Sequence, residues 1–166
     1  MITAIVHADK EWGIGKANDM MFSLPKDMKF FRETTMGNTV VMGGNTLRSF
    51  PNQKPLKNRV NIVLSRGQVR DDCVIVRSYE ALKAELKARG NEEIFIIGGG
   101  EVYKELLPYC HRALVTKVDA IGGAEVFFPN LDEMENFICV NEGEPIDDNG
   151  YTIRFTEYKN KAVRSL

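Results

Sequence analysis

Two short apolar runs end directly in glycines and then open into a polar stretch suited to start a helix. Thr39-Val40-Val41-Met42 leads into Gly43-Gly44-Asn45-Thr46, and Ile94-Phe95-Ile96-Ile97 into Gly98-Gly99-Gly100-Glu101. Apolar runs without polar alternation belong to strands buried on both faces, which are found in parallel sheets covered by helices. Parallel neighbours need a crossover connection, usually a helix, so this region must alternate strands and helices. Glycine at each junction lets another body approach the backbone while the first N–H groups of the following helix face it. Neither junction has the G-x-G-x-x-G dinucleotide spacing, and one glycine cluster alone reads equally well as a tight turn. Two such junctions in one chain point to an anion-binding role.

The rest of the chain extends the pattern. Residues 2–8 read as a central strand with His7 inside it. Residues 9–21, with Gly13 and Gly15 around Ile14 and no sustained period, read as a long mobile loop, the kind that serves as a lid or binding loop. Pro25 suits the first turn of a helix that runs to about residue 36 and stops at Gly37-Asn38. Strands are expected over 60–64, ending in Ser65-Arg66-Gly67, and over 73–76. A helix from the Ser78 cap to Arg89 carries the stripe Tyr79, Leu82, Leu86 and stops at Gly90. A further helix spans 101–107, a strand 113–118, an edge strand about 137–140, and a late strand 151–159 follows the Asp148-Asn149-Gly150 turn signal. The expected fold class is α/β, a mixed and mostly parallel central sheet with an antiparallel C-terminal edge, flanked by about four helices.

A chain of 166 residues fits one domain, and a domain of that size buries roughly 70% of its unfolded surface, so it needs no disulfide or metal to fold. No apolar run approaches the roughly 20 residues of a membrane span. The N-terminus has no basic lead-in and meets acids early, so it does not read as a secretory signal, and a cytoplasmic protein is expected. Cys73, Cys110 and Cys139 are widely spaced without a C-x-x-C pair and read as reduced thiols; with His7 and His111 they make no metal pattern. Net charge is −1, which hides an asymmetry. Residues 44–77 hold seven basic side chains against two acids, whereas residues 119–150 hold nine acids and no Lys or Arg. The basic quarter suits small anionic ligands; it is too small, and too poor in interleaved aromatics, for nucleic acid.

Asp27 stands two residues after Pro25, among Met20, Met21, Phe22, Leu24, Met28, Phe30 and Phe31. A helix starting at Pro25 puts Asp27, Phe31 and Thr34 on one face. An acid sharing a face with a buried-type aromatic is a site candidate. The other reading of this stretch alone is an ordinary first-turn acid placed against the helix dipole.

Taken in order, Ile14-Gly15 in a loop, L-P-x-D at 24–27, V-V-M-G at 40–43, L-S-R at 64–66 and I-I-G-G-G-E-V-Y at 96–103 closely resemble the dihydrofolate reductase family, bacterial-type, chromosomal or resistance-associated. The resemblance covers the whole chain. It implies one domain over 1–166, with residues about 38–106 forming an adenosine-binding subdomain, and reduction of 7,8-dihydrofolate to tetrahydrofolate by hydride transfer from NADPH. It also implies a monomer that binds dihydrofolate and antifolate inhibitors, with neither a nucleic-acid nor a membrane partner.

By the same resemblance Asp27 is the pocket carboxylate that holds the pterin and supports its protonation through water, Met20 belongs to the loop that closes on the nicotinamide, and Phe22 completes the catalytic set. Ile5, Val6, Met28, Phe31, Phe50, Leu56 and Ile97 match the substrate slot, Arg59 the guanidinium that grips the α-carboxylate of the glutamate tail, and Thr116 the hydroxyl that buttresses the aspartate. On the cofactor side stand His7, Ile14, Gly15, Asn18, Gly44, Asn45, Thr46, Leu64, Ser65, Arg66, Arg77, Gly98, Gly99, Gly100, Glu101, Val102 and Tyr103. Ser65 and Arg66, where an acid would favour a free ribose hydroxyl, lean to NADPH over NADH.

Three positions depart from the family pattern: Met21-Phe22 in place of a proline and tryptophan, His7 in place of a small residue, and Gly44 in place of a basic one. They motivate an expectation of reduced sensitivity to diaminopyrimidine antifolates such as trimethoprim. Two rival readings are a same-fold NADPH-dependent pyrimidine reductase of riboflavin synthesis and a non-catalytic nucleotide-binding module. Asp27 and Arg59 argue against the first.

Overall fold

The computed structural model describes residues 1–17 and 19–166; Asn18, expected on the cofactor side, lies outside the described residues. In chain order the elements are β1 (Ile2–Ala8), β2 (Gly13–Gly15), α1 (Pro25–Thr35), β3 (Thr39–Gly43), α2 (Gly44–Ser49), β4 (Val60–Leu64), β5 (Val74–Val76), α3 (Tyr79–Ala88), β6 (Ile94–Gly98), α4 (Gly100–Leu106), β7 (Arg112–Val118), β8 (Val126–Phe127), β9 (Phe137–Glu142), β10 (Ile146–Asp148) and β11 (Tyr151–Asn160). The main sheet has the order β10-β11-β7-β1-β6-β3-β4-β5, with β9 also on β11. Pairings from β7 through β1 to β5 are parallel, and β11 adds the antiparallel edge with β7, β9 and β10. This is the α/β architecture expected from the sequence.

The central strand β1 shows how the sheet divides its residues. Side chains alternate across a strand. Ile2, Ala4 and Ala8 join the core shared with Leu82, Leu86, Val102 and Leu106 of α3 and α4. Ile5 joins the opposite cluster with Met42, Leu47, Phe95 and Leu114, against which Phe30 and Phe31 of α1 pack. A single strand therefore supplies both cores, and a residue at an odd position in β1 faces α1.

Parallel order also aligns the glycine junctions. β3 lies between β6 and β4, so Gly43-Gly44, Gly98-Gly99 and Leu64-Ser65 leave the sheet side by side at the C-terminal ends of three neighbouring strands. Open α/β sheets bind ligands beyond that end.

The structure differs from expectation in the loop of residues 9–21. Gly13–Gly15 pairs with Val126–Phe127 as a two-stranded sheet, and Lys16 bridges Asp19. Gly13 makes this possible, because a Cβ there would lie 2.4 Å from the Ala124 Cβ. Asp9 fastens the same region. Its buried carboxylate accepts the backbone N–H groups of Glu11 (2.9 Å), Gly13 (2.8 Å) and Gly122 (2.9 Å). At the C-terminal edge, Ile146–Asp148 forms a strand where the sequence suggests only the approach to a turn. Asn149 and Gly150 have positive φ, as a tight hairpin requires. No helix among the described residues is long and apolar enough to cross a membrane.

Candidate active site

The register of β1 against β7 sets His7 beside Thr116, and both side chains face α1. The first turn of α1 brings Asp27 down onto this pair. The Thr116 hydroxyl donates to Asp27 Oδ1 at 2.7 Å, and His7 Nδ1 stands 3.3 Å from Oδ2. All three residues are buried. Asp27 is thus no ordinary dipole-facing acid: each of its oxygens meets a polar group contributed by the sheet.

The helix that carries Asp27 is itself held from a distance. Its N-cap, Leu24, offers no side-chain acceptor. Asp148, from β10 and 1% exposed, accepts the N–H of Lys26 through Oδ1 and that of Asp27 through Oδ2, both at 3.0 Å. A carboxylate at this position satisfies two of the helix's orphan donors and opposes the positive end of its dipole. Phe22 and Leu24 lock the entry to α1 by packing on Val118 and Ile153. Phe22 also meets Tyr151 edge-on, with ring centroids 4.9 Å apart.

Next to Asp27, Ile5, Phe31, Phe50, Leu56 and Ile97 fall into one apolar cluster, so most of the expected substrate-slot residues come together. Val6 does not: its side chain packs on the opposite core. Met28 and Met20 are exposed. Arg59, at the far end of α1, is half-buried and donates to the Thr35 hydroxyl at 3.0 Å and to the Lys57 carbonyl at 2.9 Å. Burial first, and then the nearby Arg32 charge, hold its guanidinium below the usual arginine value. Arg32, not singled out from the sequence, therefore adds a second cation to that end of the slot.

Beyond the sheet a cleft of about 510 Å³ is lined by Gly44, Asn45, Thr46, Ser65, Arg66, Gly99, Gly100, Glu101 and Val102 among others. The helices that start here, α2 and α4, carry no side-chain cap, so their leading N–H groups are not consumed from within. A Cβ on Gly44 would lie 3.2 Å from Ser65 Oγ and 3.3 Å from Arg48 Nη1, so Arg48 stands over the glycine that takes the place of a basic residue. Arg77 donates to the Ser65 carbonyl at 3.0 Å. Tyr79 borders the cleft, its hydroxyl pushed up to about 12 by burial and by the neighbouring Glu101. Leu64, Val102, Tyr103 and Ile14 pack into the core behind, where the Tyr103 hydroxyl donates to the Ile5 carbonyl at 2.7 Å. A second cavity, of about 350 Å³, lies among Asp9, Trp12, Lys117 and Arg154 and contains none of the expected site residues.

A buried acid on an apolar slot, an arginine at the slot's far end and an uncapped glycine cleft across the sheet agree with one family model, described as dihydrofolate reductase, which matches residues 1–160. The chain belongs to the dihydrofolate reductase family. It is 34% identical to the dihydrofolate reductase of Bacillus subtilis over 97% of this chain and 95% of that protein. It is 38% identical to that of Haemophilus influenzae over 86% and 88%, and 33% identical to that of Staphylococcus haemolyticus over 95% of each.

Several residues that shape this dihydrofolate reductase family site carry no local sequence signal. Asp148 resembles part of a turn and Asp9 a loop acid. Glu125 is a third case: its N–H donates to the Gly15 carbonyl at 2.9 Å, and its carboxylate accepts the Ala17 N–H at 2.7 Å, tying the loop before Met20 to the segment around β8. Their roles depend on partners more than a hundred residues away for Asp148 and Glu125, and on both near and distant N–H groups for Asp9.

Proposed function

We propose that the chain catalyses NADPH-dependent reduction of 7,8-dihydrofolate to 5,6,7,8-tetrahydrofolate, as a monomer in the cytoplasm. The observation that carries this reading is Asp27, buried at the head of an apolar slot with each oxygen already steadied from the sheet. A carboxylate has about four lone-pair sites. Thr116 and His7 face one on each oxygen, which leaves one per oxygen for the two N–H groups on the 2-amino and N3 edge of a pterin.

In this role Asp27 orients the ring and stabilises positive charge developing on it, while the proton for N5 arrives through water. Ile5, Phe31, Phe50, Leu56 and Ile97 exclude bulk solvent from the ring and the benzoyl group. Arg59, supported by Arg32, binds the α-carboxylate of the tail, a task suited to a two-pronged guanidinium. Met20, exposed at the end of the tethered loop, would cover the reacting face on closure.

The glycine cleft fits the cofactor. It is free of side-chain caps at two helix starts and lined by Arg48 and Arg66, with Arg77 bound to the carbonyl of the lining residue Ser65. Gly44, Asn45, Thr46, Gly99 and Gly100 would hold the pyrophosphate, and Ser65 with Arg66 the 2′-phosphate, which favours NADPH over NADH. Residues about 38–106 would then act as the adenosine-binding part. When bound, NADPH supplies the hydride from its nicotinamide ring.

Loss of NADPH absorbance on adding dihydrofolate, with much slower oxidation of NADH, is the expected result. Tight NADPH binding without turnover would overturn the reading. Weak inhibition by trimethoprim is the further expectation drawn from the departures at Met21, Phe22, His7 and Gly44; inhibition as strong as that of a relative carrying the usual residues would count against it.

A further inference from the structure

His7 is the polar group of the site that the proposed reaction does not require. It sits near the C-terminal end of β1, paired with Thr116 of β7, and is buried. Its Nε2 is buried and has no hydrogen-bond partner among the described residues. A buried nitrogen without a partner is unfavourable, so the polar contact of this ring rests on its other nitrogen. That nitrogen stands 3.3 Å from Asp27 Oδ2, and the two side chains are 8% and 11% exposed. Phe22 closes one side of the imidazole, with ring centroids 6.2 Å apart and planes tilted by 54°. Thr116 adjoins His7 across the register and engages the other oxygen of Asp27.

Resting on the reductase reading, we infer that His7 is a specificity-determining residue: through Oδ2 of Asp27 it weakens the slot's preference for cationic heterocycles over neutral ones. An imidazole with its proton on Nδ1 directs positive potential at Oδ2 whether it is neutral or protonated. That potential drains part of the field Asp27 offers to a ligand. A neutral pterin needs Asp27 as a pair of hydrogen-bond acceptors, and one lone pair per oxygen remains for it. A 2,4-diaminopyrimidine, which pairs with a carboxylate as a cation, depends on the net negative charge and also meets the imidazole's repulsion. The cost therefore falls unequally on the two ligand classes. Burial strengthens the effect, because charges that share a water-excluded site are weakly screened.

The test compares dissociation constants of trimethoprim and dihydrofolate for wild type, His7→Ala, His7→Asn and His7→Gln, with thermal unfolding to verify folding. Turnover of dihydrofolate with NADPH is followed on the same preparations. His7→Ala is expected to tighten trimethoprim about tenfold relative to dihydrofolate, the scale of one interaction with a charged group. The Asn amide can occupy the Nδ1 position, so His7→Asn keeps a ratio near wild type. The Gln amide reaches only the Nε2 position, so His7→Gln resembles His7→Ala.

An unchanged ratio in His7→Ala, or a wild-type ratio restored by Gln and not by Asn, overturns the role. If His7→Ala does not fold, the contrast between Asn and Gln decides. Wild-type protein that binds both ligands without oxidising NADPH sinks the reductase reading, and the ratio of binding constants then still decides the role of His7 independently.

Discussion

The backbone N–H of Asp27 donates to Oδ2 of Asp148 at 3.0 Å, across 121 positions of sequence. With the parallel bond from Lys26 it makes the C-terminal hairpin the N-terminal cap of the helix that presents the site acid. Replacing a capping side chain by alanine typically removes about 1–2 kcal/mol. Asp148→Ala is therefore expected to lose about that much stability in urea unfolding and to weaken dihydrofolate binding while leaving NADPH binding intact. Equal loss for both ligands would mean that the hairpin acts on the whole sheet and not on α1.

Asp27→Asn keeps the shape of the slot but removes the anion. Turnover at neutral pH is expected to fall by about a hundredfold or more. Acidification should restore part of it, because a substrate already protonated needs less help. Unchanged turnover at pH 7 would remove Asp27 from the mechanism.

Asp9 gathers three N–H groups from two loops at a buried position. Alanine there leaves all three without their acceptor, and a loss of about 3 kcal/mol is expected. Amide hydrogen exchange at Gly13 and Gly122 should accelerate well before that at β1. Because the loop leads to Met20, turnover should fall too, and uniform acceleration across the sheet would argue against a local tether.

Arg48 stands over Gly44 and beside Ser65 in the cleft. Arg48→Ala is expected to raise the KM for NADPH by about tenfold, the effect of losing about 1.4 kcal/mol. The loss should shrink as salt increases, since an exposed charge is screened. A dihydrofolate KM that rises in step would place Arg48 elsewhere in function.

Burial pushes the Cys110 thiol up from its ordinary value of 9.0 to about 12. It also holds the Tyr103 hydroxyl above its usual value, with the Asp27 charge adding to the effect. Both groups keep their proton longer in the folded state than in the unfolded one. Their stabilising contribution is complete below about pH 9 and is lost as pH rises towards 12. Alkaline unfolding should therefore set in over that window, with Cys110→Ala blunting it. A thiol reagent at pH 8 should modify exposed Cys139 quickly and buried Cys110 only on unfolding.

Local chemistry makes much of the fold legible in the sequence. The strands Ile2–Ala8, Thr39–Gly43 and Ile94–Gly98 and the helix Tyr79–Ala88 lie within a residue or two of their expected bounds. Unbroken apolar runs, a serine cap that accepts the Ala81 N–H and glycine stops act over one or two turns of chain. Asp27 is visible for the same reason, through Pro25 and the apolar residues around it. β10 is not, because a three-residue strand exists only when β11 supplies its partner.

The sequence by itself determined that strands would alternate with helices, that two glycine junctions would start helices, and that an acid would open the helix after Pro25. The family resemblance implied the Thr116 hydroxyl as one partner of that acid; tertiary structure decided the rest of what it meets. His7 and Asp27 are twenty positions apart, on a strand and a helix whose separate patterns say nothing of each other. The pairing of β1 with β7 aligns His7 with Thr116, docking of α1 lowers Asp27 onto both, and Asp148 fixes the helix from the far edge of the sheet. Hydrogen bonds and charge contacts of this kind depend on distances of about 3 Å, which only packing of the whole sheet can set.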